Sequence, residues 1–253
     1  MSFSHYGKLC TEVYDLTKEV GQSFSGDIEF YQGKLKGCKG RILEAMVGSG
    51  RVIIPLLESG LKVDGVDDAP DMLASCRHRL EERGLQTKIY ESNLQNLDLP
   101  HQYEAIIIPG GSFLLIDDRG ESIQALRKIH DHLEKGGRLI MDVFLPDAQF
   151  ETGKVNTSVF PLPGGDIITM ESKLIEADFF HQRKVTHLKY EKWRNGSLIE
   201  TELQRFALRW YGVEELKLIL KEIGFSKINI CADFQEDKEP TRSNEKIVCI
   251  AVK

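Results

Sequence analysis

The sequence predicts an α/β protein in which a doubly wound, mostly parallel sheet of seven strands carries an inserted antiparallel sheet. Short apolar segments alternate with helical patterns up to Pro146, which is typical of parallel βαβ units with short connections. Residues 155–208 instead alternate apolar and polar side chains, which predicts antiparallel strands. A Gly-x-Gly turn follows the first predicted strand, at the edge where such sheets bind ligands.

The elements of the parallel part follow each other closely along the chain. The run Glu104-Ala-Ile-Ile-Ile-Pro109 is apolar and β-branched, which predicts a strand buried on both faces. A helix over 213–223 ends at Gly224, and strands at 226–232 and 246–252 follow it. We predict the other strands at 40–45, 62–66, 87–91 and 138–144, helices at 51–59, 69–84 and 119–133, and a helical segment at 8–36.

The inserted sheet is marked by a strong hairpin signal. Asn195-Gly196 lies between two alternating runs, and this dipeptide favours the tight turn of a β-hairpin. We expect the insertion to cover a ligand-binding cleft and to select the substrate. The predicted division of the chain is a helical cap at 1–36, a main domain at 37–148 and 209–253, and a lid at 149–208.

Composition excludes several classes of protein. The net charge of −6 and the pI near 5.7 provide no basic surface for nucleic acid or an anionic membrane. Five scattered cysteines form no Cys-x-x-Cys pair, which favours free thiols in a reducing cytoplasm. There is no apolar run of membrane-spanning length and no His/Asp/Glu cluster with metal-ligand spacing. The first residues, Met1-Ser-Phe-Ser-His-Tyr6, lack the charged and apolar regions of a signal peptide, so we do not expect secretion. We expect a cytoplasmic protein without a metal.

The first predicted strand ends in a carboxylate and a glycine turn, Glu44-x-x-x-Gly48-x-Gly50. A dinucleotide fingerprint needs a third glycine, and Ile53 occupies that position. Glu44 would also repel a phosphate, so the turn favours a ligand that carries an ammonium group or hydroxyls, such as S-adenosylmethionine (SAM). The alternative is an ordinary strand, turn and helix whose glycines serve backbone geometry alone.

The second predicted strand also ends in a carboxylate, Asp67. Its two oxygens suit the two hydroxyls of a ribose. The alternative is that Asp67 caps the following helix, a role that Asp68 or Asp71 could also take.

These patterns together resemble the class I SAM-dependent methyltransferases, in particular a bacterial group with a sheet insertion that is similar to small-molecule and sugar-amine N-methyltransferases. The resemblance rests on the glycine turn and on the segments 65–73, 108–113 and 205–225. It implies a Rossmann-like methyltransferase fold that binds SAM, releases S-adenosylhomocysteine (SAH), and acts on a small-molecule partner as a monomer or homodimer.

The resemblance also implies roles for single residues. Asp67 would bind the ribose and Met72 would pack beside the adenosine. Asn93 stands where the family has an acid that contacts the adenine amine; the alternative is an unrelated turn asparagine. Leu94 would cover the purine, and Pro109 would lie against the methionine part. The residues expected to bind the cofactor are Glu44, Met46, Gly48, Ser49, Gly50, Arg51, Asp67, Asp68, Met72, Asn93, Leu94, Pro109, Gly110 and Ser112.

A catalytic base is not fixed by the sequence. Leu114 and Leu115 stand where many relatives have a histidine or tyrosine, and the absence of Asn/Asp-Pro-Pro-Tyr disfavours adenine-N6 and glutamine substrates. His5 and Tyr6 could close over the site, and core packing is the alternative for Tyr14. The weak catalytic candidates are Tyr14, His181, His187 and Tyr211, and the aromatic residues expected to form an apolar acceptor pocket are Tyr190, Trp193, Trp210 and Tyr211.

The function predicted from the sequence is metal-independent methyl transfer from SAM to a nitrogen or oxygen atom of a small molecule, by in-line displacement. Two alternatives stay open. One is a non-catalytic protein that binds SAM or SAH, which the altered residues before Gly48 allow. The other is a methyltransferase that acts on protein or RNA, although the acidic charge makes a nucleic-acid partner unlikely on electrostatic grounds.

Overall fold

The computed structural model describes residue 3 and residues 5–146 and 150–253. Its helices are α1 (Lys8–Thr17), α2 (Asp27–Leu35), α3 (Ile53–Glu58), α4 (Pro70–Glu82), α5 (Arg119–His132) and α6 (Val213–Ile223). Its strands are β1 (Ile42–Ala45), β2 (Val63–Asp67), β3 (Ile89–Glu91), β4 (Tyr103–Ile108), β5 (Leu133–Phe144), β6 (Val155–Pro161), β7 (Ile167–Asp178), β8 (Arg183–Arg194), β9 (Ser197–Arg209), β10 (Ser226–Ala232) and β11 (Lys246–Val252).

The main sheet has seven strands in the order β10-β11-β5-β4-β1-β2-β3. The neighbouring strands from β3 to β5 run parallel, and β11 runs antiparallel to both β5 and β10. This arrangement confirms the predicted doubly wound, mostly parallel sheet. Since β1 lies between β2 and β4, the carboxyl ends of these three strands lie side by side at one edge of the sheet.

The core lies on both faces of the main sheet. The β4 residues Ile106, Ile107 and Ile108 are fully buried, as expected for a central parallel strand. Ile106 and Ile108 pack in one hydrophobic cluster and Ile107 in another, because successive side chains point to opposite faces. The central strands are therefore fixed by packing on both sides, which gives the loops at their carboxyl ends a rigid base.

The inserted sheet has four antiparallel strands in the order β6-β7-β8-β9. Asn195 and Gly196 join β8 to β9 with φ values of 49° and 77°, and Arg194 pairs with Ser197. The predicted hairpin is thus confirmed, with the two left-handed residues that its tight turn requires. Ile168 and Tyr190 of this sheet pack with Leu9 of α1. We call this four-stranded sheet the lid sheet.

Most predicted elements of the main sheet and its helices agree with the structure to within two residues, but two differ more. The helical segment 8–36 is two helices, because the chain turns between α1 and α2, where Gly21 and Gly26 have positive φ values of 73° and 85°. Strand β5 begins at Leu133 rather than at residue 138, since Leu133 already pairs with Tyr103. Among the helices that the structure describes, none combines the length and apolarity that a membrane span requires.

Candidate functional site

A cleft opens where the carboxyl ends of β1, β2 and β4 meet the lid sheet. Its main cavity of about 210 Å³ adjoins an inner cavity of about 50 Å³. Both cavities are lined by His5, Tyr6, Met46, Asp67, Asp68 and Leu115. The main cavity extends to residues 204–207 of β9, so the lid sheet forms part of its wall.

The structure places many of the predicted site residues around this cleft. They come from the glycine turn, the end of β2, the start of α4 and the segments that follow β3 and β4. The predicted residues that line the cleft are Met46, Gly48, Asp67, Asp68, Met72, Asn93, Leu94, Ser112 and the catalytic candidate Tyr14.

The glycine turn after β1 has a left-handed backbone at several positions. Gly48 and Gly50 have φ values of 54° and 90°, and a Cβ atom at Gly50 would lie 3.0 Å from Cys76 Sγ. Met46 has a φ of 60°, which is uncommon for a residue with a side chain. That side chain lines both cavities.

Asp67 is held by backbone donors on both sides. The Gly48 N–H donates to Oδ2 at 2.8 Å, and the Ala69 N–H donates to Oδ1 at 2.9 Å. Burial raises the pKa of this carboxyl, and the two amide donors oppose the rise. Asp67 therefore braces the turn before α4, and each oxygen retains a lone pair for a ligand hydroxyl.

Asn93 also has a local structural role. Its Oδ1 accepts from the Asn96 N–H at 3.1 Å and so caps the short 3-10 helix Leu94–Asn96. This is the turn role that the sequence left open as an alternative. Asn93 and Leu94 nevertheless both line the main cavity, and the Asn93 oxygen can accept a second hydrogen bond.

Several predicted cofactor residues lie outside the lining of the two cavities. Arg51 is buried against Asp27, with Nη2 and Oδ2 2.7 Å apart, and its Nη1 donates to the Gln22 carbonyl at 2.8 Å. Ser49 is fully buried and its Oγ accepts from Arg79 at 3.0 Å. The predicted residues that line neither cavity are Glu44, Ser49, Gly50, Arg51, Pro109 and Gly110.

Glu44 is the unusual member of this second group. It is 2% exposed, and its Oε2 has no hydrogen-bond partner among the residues that the structure describes. Burial raises the pKa of Glu44 well above its ordinary value, while the nearby Arg51 opposes that rise. An unsatisfied buried carboxyl oxygen is costly, so a ligand ammonium that satisfied it would gain binding energy.

Three of the catalytic candidates lie away from the cleft. Tyr211 is in the core, where its hydroxyl contacts that of Ser122 and its ring lies 5.8 Å from that of Phe113. His181 is exposed beyond the end of β7, where its Nδ1 lies 2.6 Å from Asp178 Oδ2. His187 is on β8, and its ring packs against that of Phe3. None of the three is proposed further as a catalytic group.

The prediction of an apolar acceptor pocket formed by Tyr190, Trp193, Trp210 and Tyr211 is wrong. Tyr190 is buried against Cys10, Trp193 donates to Thr169 Oγ1 at 3.1 Å, and Trp210 stacks on Phe150. None of these side chains lines the main cavity, because they pack against other elements instead. The lid side of the cavity is instead mixed, polar at Gln204 and Arg205 and apolar at Phe206 and Ala207.

The polar residues on this side of the cavity were missed in the sequence. Arg205 of β9 donates to Asp117 Oδ2 at 2.7 Å, and Gln204 and Glu121 lie in the same cavity. They come together only when the lid sheet docks on the main sheet, so no spacing in the sequence marks them. His5 and Tyr6 do close over the cleft, and His5 Nε2 lies 3.0 Å from Asp68 Oδ1.

Comparisons with known proteins agree with this architecture. Residues 42–137 match the family described as methyltransferase domain. The chain is 31% identical over 163 residues to a demethylmenaquinone methyltransferase from Thermus thermophilus, covering 60% of this chain and 72% of that protein. It is 27% identical over 212 residues to a glycine/sarcosine N-methyltransferase from Halorhodospira halochloris, covering 83% and 74%.

The fold is also found among solved structures. The crystal structure of a sugar N-methyltransferase from Streptoalloteichus superimposes with a TM-score of 0.74 at 21% identity, covering all of this chain and 97% of that one. Because this alignment includes residues 149–208, the lid sheet belongs to an arrangement that the two chains share.

Proposed function

The chain belongs to the class I SAM-dependent methyltransferases, and from that premise we propose that it methylates nitrogen or oxygen of a small polar molecule without a metal ion. Its methyl donor is SAM. The acceptor and the metal-free mechanism are the proposal. The observation that carries it is the polar cavity that runs from Asp67 to strand β9.

The residues present fit the donor. The buried Glu44 oxygen without a partner suits the donor's ammonium group, and the lone pairs left on Asp67 suit ribose hydroxyls. Asn93 and Leu94 line the main cavity, where Asn93 would contact the edge of the adenine and Leu94 its face. Bound SAM supplies a methyl group on a positively charged sulfur whose departure as a neutral sulfide drives the transfer.

The charge of the cavity favours an amine as the acceptor. Asp67, Asp68, Asp117 and Glu121 line the main cavity, whereas Arg205 and His5 are its two residues that can carry a positive charge. This acidic surplus attracts a substrate that arrives as an ammonium ion, which loses its proton to solvent so that the free amine attacks the methyl group. The name of the glycine/sarcosine relative and that of the sugar N-methyltransferase support the same class of acceptor.

The chain's own groups would mainly orient the acceptor and exclude water. Burial raises the pKa of Tyr6 well above its ordinary value, so its hydroxyl stays protonated and serves as a donor. The hydrogen bond that His5 donates to Asp68 raises the pKa of His5, so this imidazole is more cationic at neutral pH and poorly suited as a base. His5 is thus proposed to close the cleft.

Among the described residues, no group of three or more His, Cys, Asp or Glu side chains is arranged to hold a metal ion. The metal-free proposal rests on the chemistry, since a neutral sulfide leaves readily without a Lewis acid. We also propose a cytoplasmic location, supported by five cysteines that are all free thiols, and a monomer or homodimer.

The test measures SAM binding by calorimetry and then SAH release with panels of small amines, alcohols and phenols, each with and without EDTA. We expect turnover on at least one amine or hydroxyl compound that EDTA leaves unchanged. Activity that EDTA abolishes and Mg²⁺ restores would contradict the metal-free mechanism. Binding without turnover would favour the non-catalytic alternative, and labelling of protein or RNA alone in a lysate would contradict a small-molecule acceptor.

A further inference from the structure

A buried carboxylate lies between the cofactor cleft and helix α2. Asp142 is on β5 and is 2% exposed, within the apolar run Leu139-Ile-Met-Asp-Val143. Its Oδ1 accepts from the Tyr31 hydroxyl at 2.7 Å and from the Gly110 N–H at 2.9 Å. One oxygen atom therefore joins α2, β5 and the turn after β4.

The turn that Asp142 contacts has great backbone freedom. Gly110 and Gly111 are consecutive and have φ values of 72° and 69°, which glycine adopts without strain. Ser112 follows directly and lines the inner cavity, and Leu115 lines both cavities. The position of the Gly110 amide thus determines where these lining residues lie.

Helix α2 reaches the first glycine turn as well. Asp27 begins α2 and forms the buried ion pair with Arg51, at the end of the Gly48–Gly50 turn. The Gly21 N–H also donates to the Arg51 carbonyl at 2.9 Å. The same helix is therefore bonded to both turns that border the cleft, through Asp27 at one and through Tyr31 and Asp142 at the other.

Burying a carboxylate at position 142 costs free energy. Burial raises the pKa of Asp142, and the Tyr31 hydroxyl and Gly110 amide oppose the rise. Where both partners of a buried hydrogen bond are replaced by apolar groups of the same shape, a protein is often equally stable or more stable. An acid here is consistent with a geometric requirement on the Gly110 turn rather than with stability.

We propose that Asp142 is a positioning residue, which holds the Gly110 turn against α2 through Tyr31 in the geometry that binds the methyl donor. The Asp142 carboxyl acts through the Gly110 amide and does not itself line the cleft. The proposal rests on membership of the SAM-dependent family and is independent of the acceptor.

The decisive variants are Tyr31→Phe, Asp142→Leu and Asp142→Asn, with Tyr103→Phe as the matched control. Tyr103 is also fully buried and also donates to a buried carboxylate, Asp64, at 3.4 Å, but it lies outside the cleft lining. SAM and SAH affinities by calorimetry are measured for each variant, together with the melting temperature.

We expect Tyr31→Phe to weaken SAM binding roughly 5- to 10-fold and Asp142→Leu by more than about 10-fold, the scale of losing hydrogen bonds to a charged group. Asp142→Asn keeps the Oδ1 acceptor and is expected to restore affinity to within about 3-fold of the wild type. Tyr103→Phe is expected to bind as the wild type does.

Wild-type affinity in Tyr31→Phe would overturn the proposal, even if Asp142→Leu failed to fold. So would an equal loss in Tyr103→Phe, because it would trace the effect to stability alone. A wild-type protein that failed to bind SAM would instead contradict the assignment of the donor, which separates the two failures.

Discussion

The two walls of the cleft are built in different ways. On the main-sheet wall, Asp67 is fixed by backbone amides, one from Ala69 two residues away and one from Gly48. On the lid wall, Arg205 is placed by Asp117, which is 88 residues distant, through side chains that are partly exposed. A substitution leaves the backbone amide donors in place, whereas it can remove either side chain of the Asp117–Arg205 pair. The comparison indicates that the end of the cleft that binds the methyl donor is fixed, whereas the end that binds the methyl acceptor is adjustable.

The largest effect is expected from the fixed wall. Asp67→Ala removes a carboxylate that braces the glycine turn and is proposed to bind the ribose, so SAM affinity should fall by about 10²-fold. Asp71→Ala, an exposed acid in the first turn of α4, is the matched control and should bind normally. Calorimetry with SAM measures both, and unchanged affinity in Asp67→Ala would remove this residue from the site.

The second effect tests whether the turn itself is rigid. Gly50→Ala adds a Cβ atom that lies 3.0 Å from Cys76 Sγ, at a residue with a φ of 90°. Gly60→Ala adds a Cβ atom at a similar φ of 86°, but no other atom lies within 4 Å of it. The backbone conformation should cost both variants about 1–2 kcal/mol of unfolding free energy. The crowding should cost Gly50→Ala roughly 1–3 kcal/mol more. Urea unfolding measures the difference, and equal losses would mean that the turn adapts.

The difference between the two walls also explains what the sequence could and could not predict. The turn residues Gly48 and Gly50, and Asp67 at the end of β2, were predictable because short local segments place them. Asp117 and Arg205 were not, since their meeting depends on how the lid sheet docks. Asp142 had a signal, a lone acid within an apolar strand, but its partners Tyr31 and Gly110 are 111 and 32 residues away.

The aromatic residues of the lid illustrate the same limit. Alternation predicted the strands correctly, yet it could not show which face of the lid meets the cleft. Tyr190 packs on α1, and Trp210 packs with Phe150 and Phe179. A mixed wall, polar at Gln204 and Arg205 and apolar at Phe206 and Ala207, therefore replaces the expected aromatic one, and the expected acceptor changes with it.

A smaller effect is expected on the adjustable wall. Arg205→Ala removes a positive charge beside Asp117, so it should lower the KM for a cationic acceptor roughly 5-fold, the scale of one partly exposed ion pair, while SAM affinity stays within about 2-fold. Arg194→Ala removes a comparable pair with Asp166 at the lid surface and should change neither constant. Steady-state kinetics decide this, and a matching loss of SAM affinity in Arg205→Ala would contradict the separation of the two walls.

The smallest effect concerns the pH dependence of closure. Since the Asp68 hydrogen bond raises the pKa of His5, the contact is fully present below the ordinary pKa of histidine and is lost as pH rises through the raised value. NMR titration of His5 should show this raised pKa, and Asp68→Asn should lower it. A His5 pKa that ignores the substitution would show that the contact is absent in solution.

The crystal structure of the protein with bound SAH tests the central claim most directly. We expect the ribose hydroxyls to lie within hydrogen-bond distance of Asp67, the adenine beside Asn93 and Leu94, and the amino group next to Glu44. We also expect the sulfur to face the cavity shared with Arg205 and Gln204 of the lid. An adenosine bound elsewhere, or a sulfur that faces away from β9, would contradict that claim.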